Sequence, residues 1–194
     1  GAAVTAAGVG EGESVAQVTT PAAAQPAAPD PAAPPAAPET PAAPAAVPVG
    51  QKAVFYEEKT GTEEGTVDTG AVVWSAVQDS PGADQPAEAA IRGEVNIPDK
   101  GVTLKLTIKR NGDKTLPVSN IIEVAFTVAD DFPGGSVEGV QRVTFKNTEQ
   151  APGNPLVGVP ANFGDGFFLI ALTDEKSAVE NNLALMSRQS WIDI

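Results

Sequence analysis

Apolar and polar residues alternate without interruption from Val102 to Lys109. Val, Leu and Ile occupy every second position, and Thr and Lys occupy the positions between them. Because successive side chains of a β-strand point to opposite faces, the pattern predicts a strand with one buried and one solvated face. Asn111-Gly112-Asp113 follows and is typical of a tight hairpin turn with Gly112 at positive φ. We therefore expect a return strand at residues 121–128.

Other short segments rich in β-branched, aromatic and apolar residues predict further strands. They lie at residues 53–57, 71–78, 91–97, 137–145, 156–159 and 166–172. The last of them, GFFLIAL, is almost entirely apolar. Such a composition indicates a strand that is buried on both faces.

One helix is predicted, from about residue 175 to residue 189. Thr173 or Asp174 can cap its start, and Arg188 near its end suits the helix dipole. A spacing of i, i+4, i+7 indicates a single apolar stripe, formed by Val179, Leu183 and Met186. Trp191 to Ile194 then predicts a final strand with Trp191 largely buried, and we expect the natural protein to continue beyond Ile194.

The predicted fold is mainly β: an antiparallel β-sandwich or partly closed barrel with one C-terminal α-helix. A disordered Ala/Pro-rich tether over residues 1–50 precedes this single domain of residues 51–194. Residues 21–50 repeat Pro and Ala, which favours extended polyproline II and a reach of roughly 90 Å. A spacer is the expected role; a ligand for SH3-like grooves is the alternative, through Pro31 and Pro34.

The charge distribution argues against nucleic acid as a partner. The whole chain carries a net charge of −13, and all 12 basic residues lie after Gly50. The tether holds four acidic residues, so the domain has 21 acidic and 12 basic residues and a net charge of −9. Such a surface repels nucleic acid and anionic lipid at long range. The densest basic group consists of Lys105, Lys109, Arg110 and Lys114 and falls on the predicted hairpin.

The chain contains neither His nor Cys. This excludes thiol catalysis, Ser-His-Asp triads and most catalytic zinc sites. No apolar run reaches the ~18 residues of a membrane-spanning helix. We expect that any membrane anchor or signal precedes Gly1.

Carboxylates are the remaining candidates for chemistry. Asp130-Asp131 follows a predicted strand, and Asp165 lies in the segment NFGDG before GFFLIAL. Facing carboxylates could hydrolyse glycosidic bonds, or could bind Ca²⁺ together with loop carbonyls. Asp and Asn beside Gly are more typical of turns, and this is the interpretation we favour. No catalytic, cofactor-binding or metal-binding residue is therefore assigned.

Glycines and aromatic residues also have structural explanations. Gly134-Gly135 and the pair Gly164 and Gly166 lack the Lys and Ser/Thr of a phosphate-binding loop and predict turns. Tyr56, Trp74 and Trp191 could together stack against a sugar, but each lies in a strand pattern, and core positions are favoured for the two Trp residues.

Residues 72–194 resemble an uncharacterised group of alphaproteobacterial proteins. The similar segments are AVVWSAVQDSPG, IRGEVNIPDKG, GNPLVGVP, DGFFLIAL and SRQSWIDI. The resemblance implies an N-terminal membrane anchor, an Ala/Pro-rich stretch and a C-terminal domain on the far side of the inner membrane. It implies no activity. The tether alone is similar to the Pro-rich spacer of TonB-type proteins but lacks their basic residues.

Three functions remain open from the sequence. The first is a non-enzymatic binding or scaffolding domain of the periplasm, tethered to the inner membrane, that binds another envelope protein or a glycan. The second is an envelope enzyme that uses carboxylates alone, such as a glycan hydrolase. The third is a structural spacer in a larger assembly, which an unusually apolar exposed patch would support.

Overall fold

The computed structural model of the chain describes residues 48–58, 61–62, 64–133 and 135–194. The predicted tether lies outside these residues, except for its last three positions. Pro48 precedes the first strand, which begins at Val49 and not at the predicted Ala53. The first strand therefore begins two residues before residue 51.

The described part contains ten β-strands and one α-helix, with a short 3-10 helix at Pro98–Lys100. In chain order they are β1 (Val49–Glu57), β2 (Thr66–Asp79), β3 (Glu88–Ile97), β4 (Val102–Arg110), β5 (Val118–Val128), β6 (Thr144–Lys146), β7 (Asn154–Pro155), β8 (Gly158–Gly164), β9 (Phe167–Thr173), α1 (Lys176–Arg188) and β10 (Trp191–Asp193).

The strands form two antiparallel sheets. The larger sheet has the order β1-β2-β3-β4-β5-β9-β8, and the smaller sheet has the order β10-β6-β7. The first five strands form a meander, since each pairs with the next along the chain. β1 and β8 are the two edges of the larger sheet, so it does not close into a barrel. The prediction of a mainly β, antiparallel, sandwich-like fold with one C-terminal helix is confirmed.

The core lies between the middle of the larger sheet and the elements that cover one of its faces. Buried apolar side chains of the sheet come from β4, β5 and β9. The smaller sheet, residues 137–143 and α1 cover them, with Val143, Phe145 and Leu185 among the buried residues. The register aligns Leu106, Val124 and Phe168 in one row across the three strands. We call this side of the larger sheet its inner face, and the other side its outer face.

The alternation of apolar and polar residues from 102 to 109 is confirmed on the inner side of β4. Val102 and Leu106 are buried, and Leu104 and Ile108 are partly buried against the core. On the opposite side, Thr107 is buried as well. Arg92 lies across it and donates a hydrogen bond from Nε to the Thr107 hydroxyl at 3.2 Å.

Two predicted strands are wrong in their extent. Residues 137–143 are irregular, and the strand begins at Thr144. The valines of that segment nevertheless pack against the core, which explains their apolar character. The predicted strand at residues 156–159 is only half a strand: residues 156 and 157 connect β7 to β8, and β8 begins at Gly158.

The predicted cap of the helix is wrong, and its apolar stripe is wrong at Leu183 but not at Met186, which packs against the core. Glu175 is the N-cap, and its carboxylate accepts hydrogen bonds from the backbone N–H groups of Ser177 and Ala178. Leu183 is 50% exposed, whereas Leu185 and the polar Asn182 are buried. The helix is rotated relative to the prediction because the Asn182 side chain bonds the backbone of Val157.

The β4–β5 hairpin is confirmed, but its tight turn is not. Residues 111–117 connect the strands, and Gly112 is absent from the described residues with positive φ. Asn111 is buried, and its amide donates to the carbonyl oxygens of Asp113 and Val118. The Gln85 side chain approaches Gly112 closely, since a Cβ there would lie 2.4 Å from Oε1 of Gln85.

Candidate functional site

The candidate carboxylates lie on exposed connections at one end of the larger sheet. Asp130 and Asp131 follow β5, and Asp165 lies between β8 and β9. These connections are neighbours, since the Phe126 N–H donates to the Gly166 carbonyl at 2.8 Å. Within the described ranges, no hydrogen bond or ion pair is formed by any of the three carboxylates. The same ranges contain no group of three acidic residues arranged to hold a metal ion.

The turn interpretation of Asp165 is confirmed. Asp165 and Gly166 form the two-residue connection between β8 and β9. Gly166 has φ +71°, and a Cβ added there would lie 2.7 Å from the Phe126 carbonyl oxygen. Both the backbone angle and the close approach therefore require glycine. Gly135 also has positive φ, in a turn closed by the hydrogen bond from its N–H to the Phe132 carbonyl. Gly134 lies outside the described residues.

The three candidate stacking residues occupy different environments. Trp74 packs against the core, and a Cβ added to Gly93 on the neighbouring strand would come within 2.7 Å of its ring. Trp191 on β10 is partly buried. Tyr56 on β1 is 51% exposed. Ring contacts within the described ranges join other residues, namely Phe55 with Phe132 and Phe126 with Phe168.

Tyr56 instead forms a polar contact with the connection after β6. Its hydroxyl donates to Glu149 at 2.5 Å, and Lys52 donates to the same carboxylate at 3.2 Å. The Tyr56 hydrogen bond, and then the Lys52 hydrogen bond, lower the pKa of Glu149. The same bond to Glu149, assisted by desolvation, raises the pKa of Tyr56. The contact joins β1 to the connection that follows β6. Because the pKa of Tyr56 is raised, its phenol is protonated at neutral pH.

Two of the four basic residues of the β4–β5 hairpin, Lys109 and Arg110, are paired with acids. Lys109 forms ion pairs with Glu123 at 2.6 Å and Asp79 at 3.3 Å. Arg110 forms two hydrogen bonds with Glu88, at 2.8 and 2.6 Å. These pairs lie on the outer face, where they engage Lys109 and Arg110 with acids of the neighbouring strands.

An exposed apolar surface lies beside these ion pairs, at the β8 edge of the outer face. Phe168, Ile170 and Leu172 of β9 are buried on the inner face, so the residues between them point outward. The register places β8 residues beside them, with Val159 opposite Ala171 and Ala161 opposite Leu169. We call this set the β8–β9 surface; it consists of Val159, Ala161, Phe163, Phe167, Leu169 and Ala171.

The exposure of this surface is large for apolar side chains. Val159 is 69% exposed, Phe163 64% and Phe167 36%. With about 150–250 Å² for each aromatic side chain, the two Phe residues expose about 200 Å². The valine and its neighbours bring the surface to roughly 300–400 Å², which is in the range where the largest patch of a monomer is often functional.

The sequence pattern alone missed this surface. GFFLIAL predicts burial on both faces, and that prediction is wrong, because the outward side of β9 is not covered by any of the described elements. A signal was nevertheless present. Val159, Ala161 and Phe163 alternate with Pro160 and Asn162 in the preceding segment, which is typical of an edge strand that presents an apolar side.

No protein-family model matches the chain, and no curated protein or solved structure matches it either. Among the described residues, no helix combines the length and the apolar character needed to cross a membrane.

Proposed function

We propose that this protein is a non-enzymatic binding or scaffolding domain, and that the β8–β9 surface is where it contacts its partner. The observation that carries the proposal is the apolar outward side of β8 and β9, on a face whose other strands carry paired charges. Solvent-exposed strands ordinarily alternate apolar and polar residues. An apolar side that is kept exposed is typical of a protein–protein contact.

The sequence supplies the cellular setting of this proposal. The Ala/Pro-rich residues 21–50 are suited to act as a spacer, and the alphaproteobacterial resemblance implies an anchor in the inner membrane. In that setting the domain works in the periplasm, held away from the membrane, and binds another envelope protein. A protein fits better than a glycan, because the candidate stacking residues Tyr56, Trp74 and Trp191 do not share a surface made of aromatic faces.

A carboxylate-only enzyme is the competing function. Its candidates, Asp131 and Asp165, are exposed and lie on connections, whereas a general acid ordinarily needs a desolvated carboxyl group. The assay is hydrolysis of envelope glycans by the full chain. Turnover that Asp131→Asn or Asp165→Asn abolishes, with folding intact, would establish the enzyme and refute the binding domain.

Site-specific photo-crosslinking in envelope extracts tests the proposal directly. In one version of the full chain a photoreactive residue replaces Val159. In the control version it replaces Val67, which is 61% exposed on β2, near the opposite edge of the larger sheet. We expect a discrete adduct from position 159 that the unlabelled full chain competes away, and none from position 67. Equal labelling from both positions, or none from position 159, would contradict a partner at the β8–β9 surface.

A further inference from the structure

We propose that Asn111 is a modification site, at which the side chain deamidates through a cyclic imide formed with the backbone nitrogen of Gly112, and that the folded contacts around this pair hold the reaction back. The pair lies in the connection between β4 and β5. Its chemistry is independent of the binding function proposed for the β8–β9 surface. Three observations support the site: the sequence of the pair, the hydrogen bonds that hold it, and the surroundings that a carboxylate would meet there.

Asn111 and Gly112 form the one Asn-Gly pair of the chain. The Gly112 nitrogen attacks the side-chain carbonyl carbon of Asn111 and forms a C–N bond, and the side-chain nitrogen leaves as ammonia with the proton that Gly112 gives up. Water then opens the imide at either carbonyl and gives an aspartate or an isoaspartate residue. Asparagine is among the thermolabile residues of proteins. Glycine after it favours the ring, because no Cβ hinders the approach and its backbone adopts a wide range of angles.

In the fold, Gly112 is held by the connection between β2 and β3. Its N–H, which must lose its proton for the attack, donates to the Pro81 carbonyl at 2.9 Å. Its carbonyl accepts from Nε2 of Gln85 at 2.9 Å. The Gln85 side chain also covers this residue, since a Cβ on Gly112 would meet it. Gly112 is buried by these contacts, and its nitrogen is not free to attack.

The Asn111 side chain is held as well. Its Nδ2 donates to the carbonyl oxygens of Asp113 at 2.7 Å and Val118 at 2.9 Å, and its Oδ1 accepts from the Asp113 N–H at 3.1 Å. Asn111 is 7% exposed, so little water reaches the amide. Ring formation must pull the amide out of these hydrogen bonds. The reaction therefore requires this end of the hairpin to open first, and its rate follows the open fraction.

The product does not fit the place of the asparagine. A carboxylate accepts hydrogen bonds and donates none, so it would face the carbonyl oxygens of Asp113 and Val118 at a buried position without a donor. An isoaspartate also lengthens the backbone by one methylene group, which moves Gly112 away from Pro81 and Gln85. A molecule that opens at this end and deamidates therefore does not close again, and it carries one additional negative charge.

Peptide mass spectrometry of the full chain, incubated at mildly alkaline pH, measures the reaction, and electron-transfer fragmentation identifies isoaspartate. Asn111 should deamidate at least about tenfold more slowly in the folded protein than in the same chain unfolded in urea, because the folded protein reacts through opening. Asp165→Asn supplies a matched second Asn-Gly pair at an exposed position of the β8–β9 turn. The slowing by the fold should be smaller at position 165 than at Asn111.

Two further pairs of variants locate the contacts and the consequence. Gln85→Ala removes the hydrogen bond to the Gly112 carbonyl and should accelerate deamidation of Asn111 severalfold in the folded protein. Gln78→Ala, at an exposed position of β2, is the control and should leave the rate unchanged. Asn111→Asp should lower the urea midpoint. Asn147→Asp adds the same charge at an exposed position and should leave the midpoint unchanged.

Five results would overturn the proposal. No deamidation of Asn111 in urea would show that it is not a modification site, and equal rates in buffer and urea would show that the fold does not protect it. Equal slowing at positions 111 and 165, or equal rates in the two glutamine variants, would show that the contacts of this pair are not what holds the reaction back. Equal midpoints of the two aspartate variants would show that the product fits the site. None of these results bears on the β8–β9 surface.

Discussion

The Asn182 side chain forms hydrogen bonds with both backbone groups of Val157. Its Oδ1 accepts from the Val157 N–H at 2.9 Å, and its Nδ2 donates to the Val157 carbonyl at 3.0 Å. Asn182 is 2% exposed, and Val157 directly precedes β8. The pair therefore joins α1 to the start of the edge strand that carries the apolar surface.

Replacing this asparagine should destabilise the domain. In Asn182→Leu both hydrogen bonds to the Val157 backbone are lost, at about 0.5–1.5 kcal/mol each. Asn181→Leu, at an exposed position of the same helix, is the control and should change the free energy of unfolding by less than about 0.5 kcal/mol. Urea denaturation measures both. A similar midpoint for the two variants would show that the Asn182 contacts contribute nothing.

Gly166→Ala should destabilise the β8–β9 turn more than Gly61→Ala destabilises its own turn. Both glycines have similar positive φ, +71° and +62°, so the backbone cost of alanine is alike, about 1 kcal/mol. At Gly166 the new Cβ also meets the Phe126 carbonyl oxygen, whereas Gly61 has open space around it. Thermal unfolding should show the larger drop for Gly166→Ala, and a larger drop for Gly61→Ala would contradict the close approach.

The contact between Tyr56 and Glu149 predicts a pH dependence at the acidic end. The folded pKa of Glu149 lies below its ordinary value, so this contact stabilises the fold above the unfolded pKa of ~4.3. Its contribution is lost as the pH falls through the folded pKa. Tyr56→Phe should raise the pKa of Glu149 toward the ordinary value, as followed by NMR of the carboxyl carbon.

Glu175 provides the internal control for that titration. Its pKa is lowered by Ser177, through the hydroxyl hydrogen bond, and by the backbone N–H groups at the start of α1. Tyr56→Phe should leave the pKa of Glu175 unchanged. If Glu149 titrates at the same pH in both proteins, the Tyr56 hydrogen bond is not formed in solution.

The last strand contributes to stability through Ile192. Ile192 packs against the core, whereas Ile194 is 41% exposed. Ile192→Ala should lower the free energy of unfolding by about 2 kcal/mol, the lower end for buried Ile truncations. Ile194→Ala should lower it by less than about 0.5 kcal/mol. Equal losses would indicate that β10 does not pair with β6 as the structure has it.

Local pattern was enough to predict the β4–β5 hairpin, because the alternation in β4 indicates one buried and one outward face. It was not enough for α1, where Asn182 is buried through a backbone contact that hydrophobicity does not record. It was also not enough at β9. An apolar outward side has the same sequence whether or not another layer of the domain covers it, so the exposure of Phe167 could not be predicted.

The edge position of β1 has a mechanical consequence. The Ala/Pro-rich segment joins the domain at Val49, so a pulling force that it transmits enters the larger sheet through this strand. All nine residues of β1 pair with β2, and Lys52 and Tyr56 also connect the strand to Glu149 on another element. A load along the strand axis is shared by the whole ladder in shear, whereas a load across the axis separates the pairs one after another. The direction of pull, more than its size, then decides whether the domain stays folded.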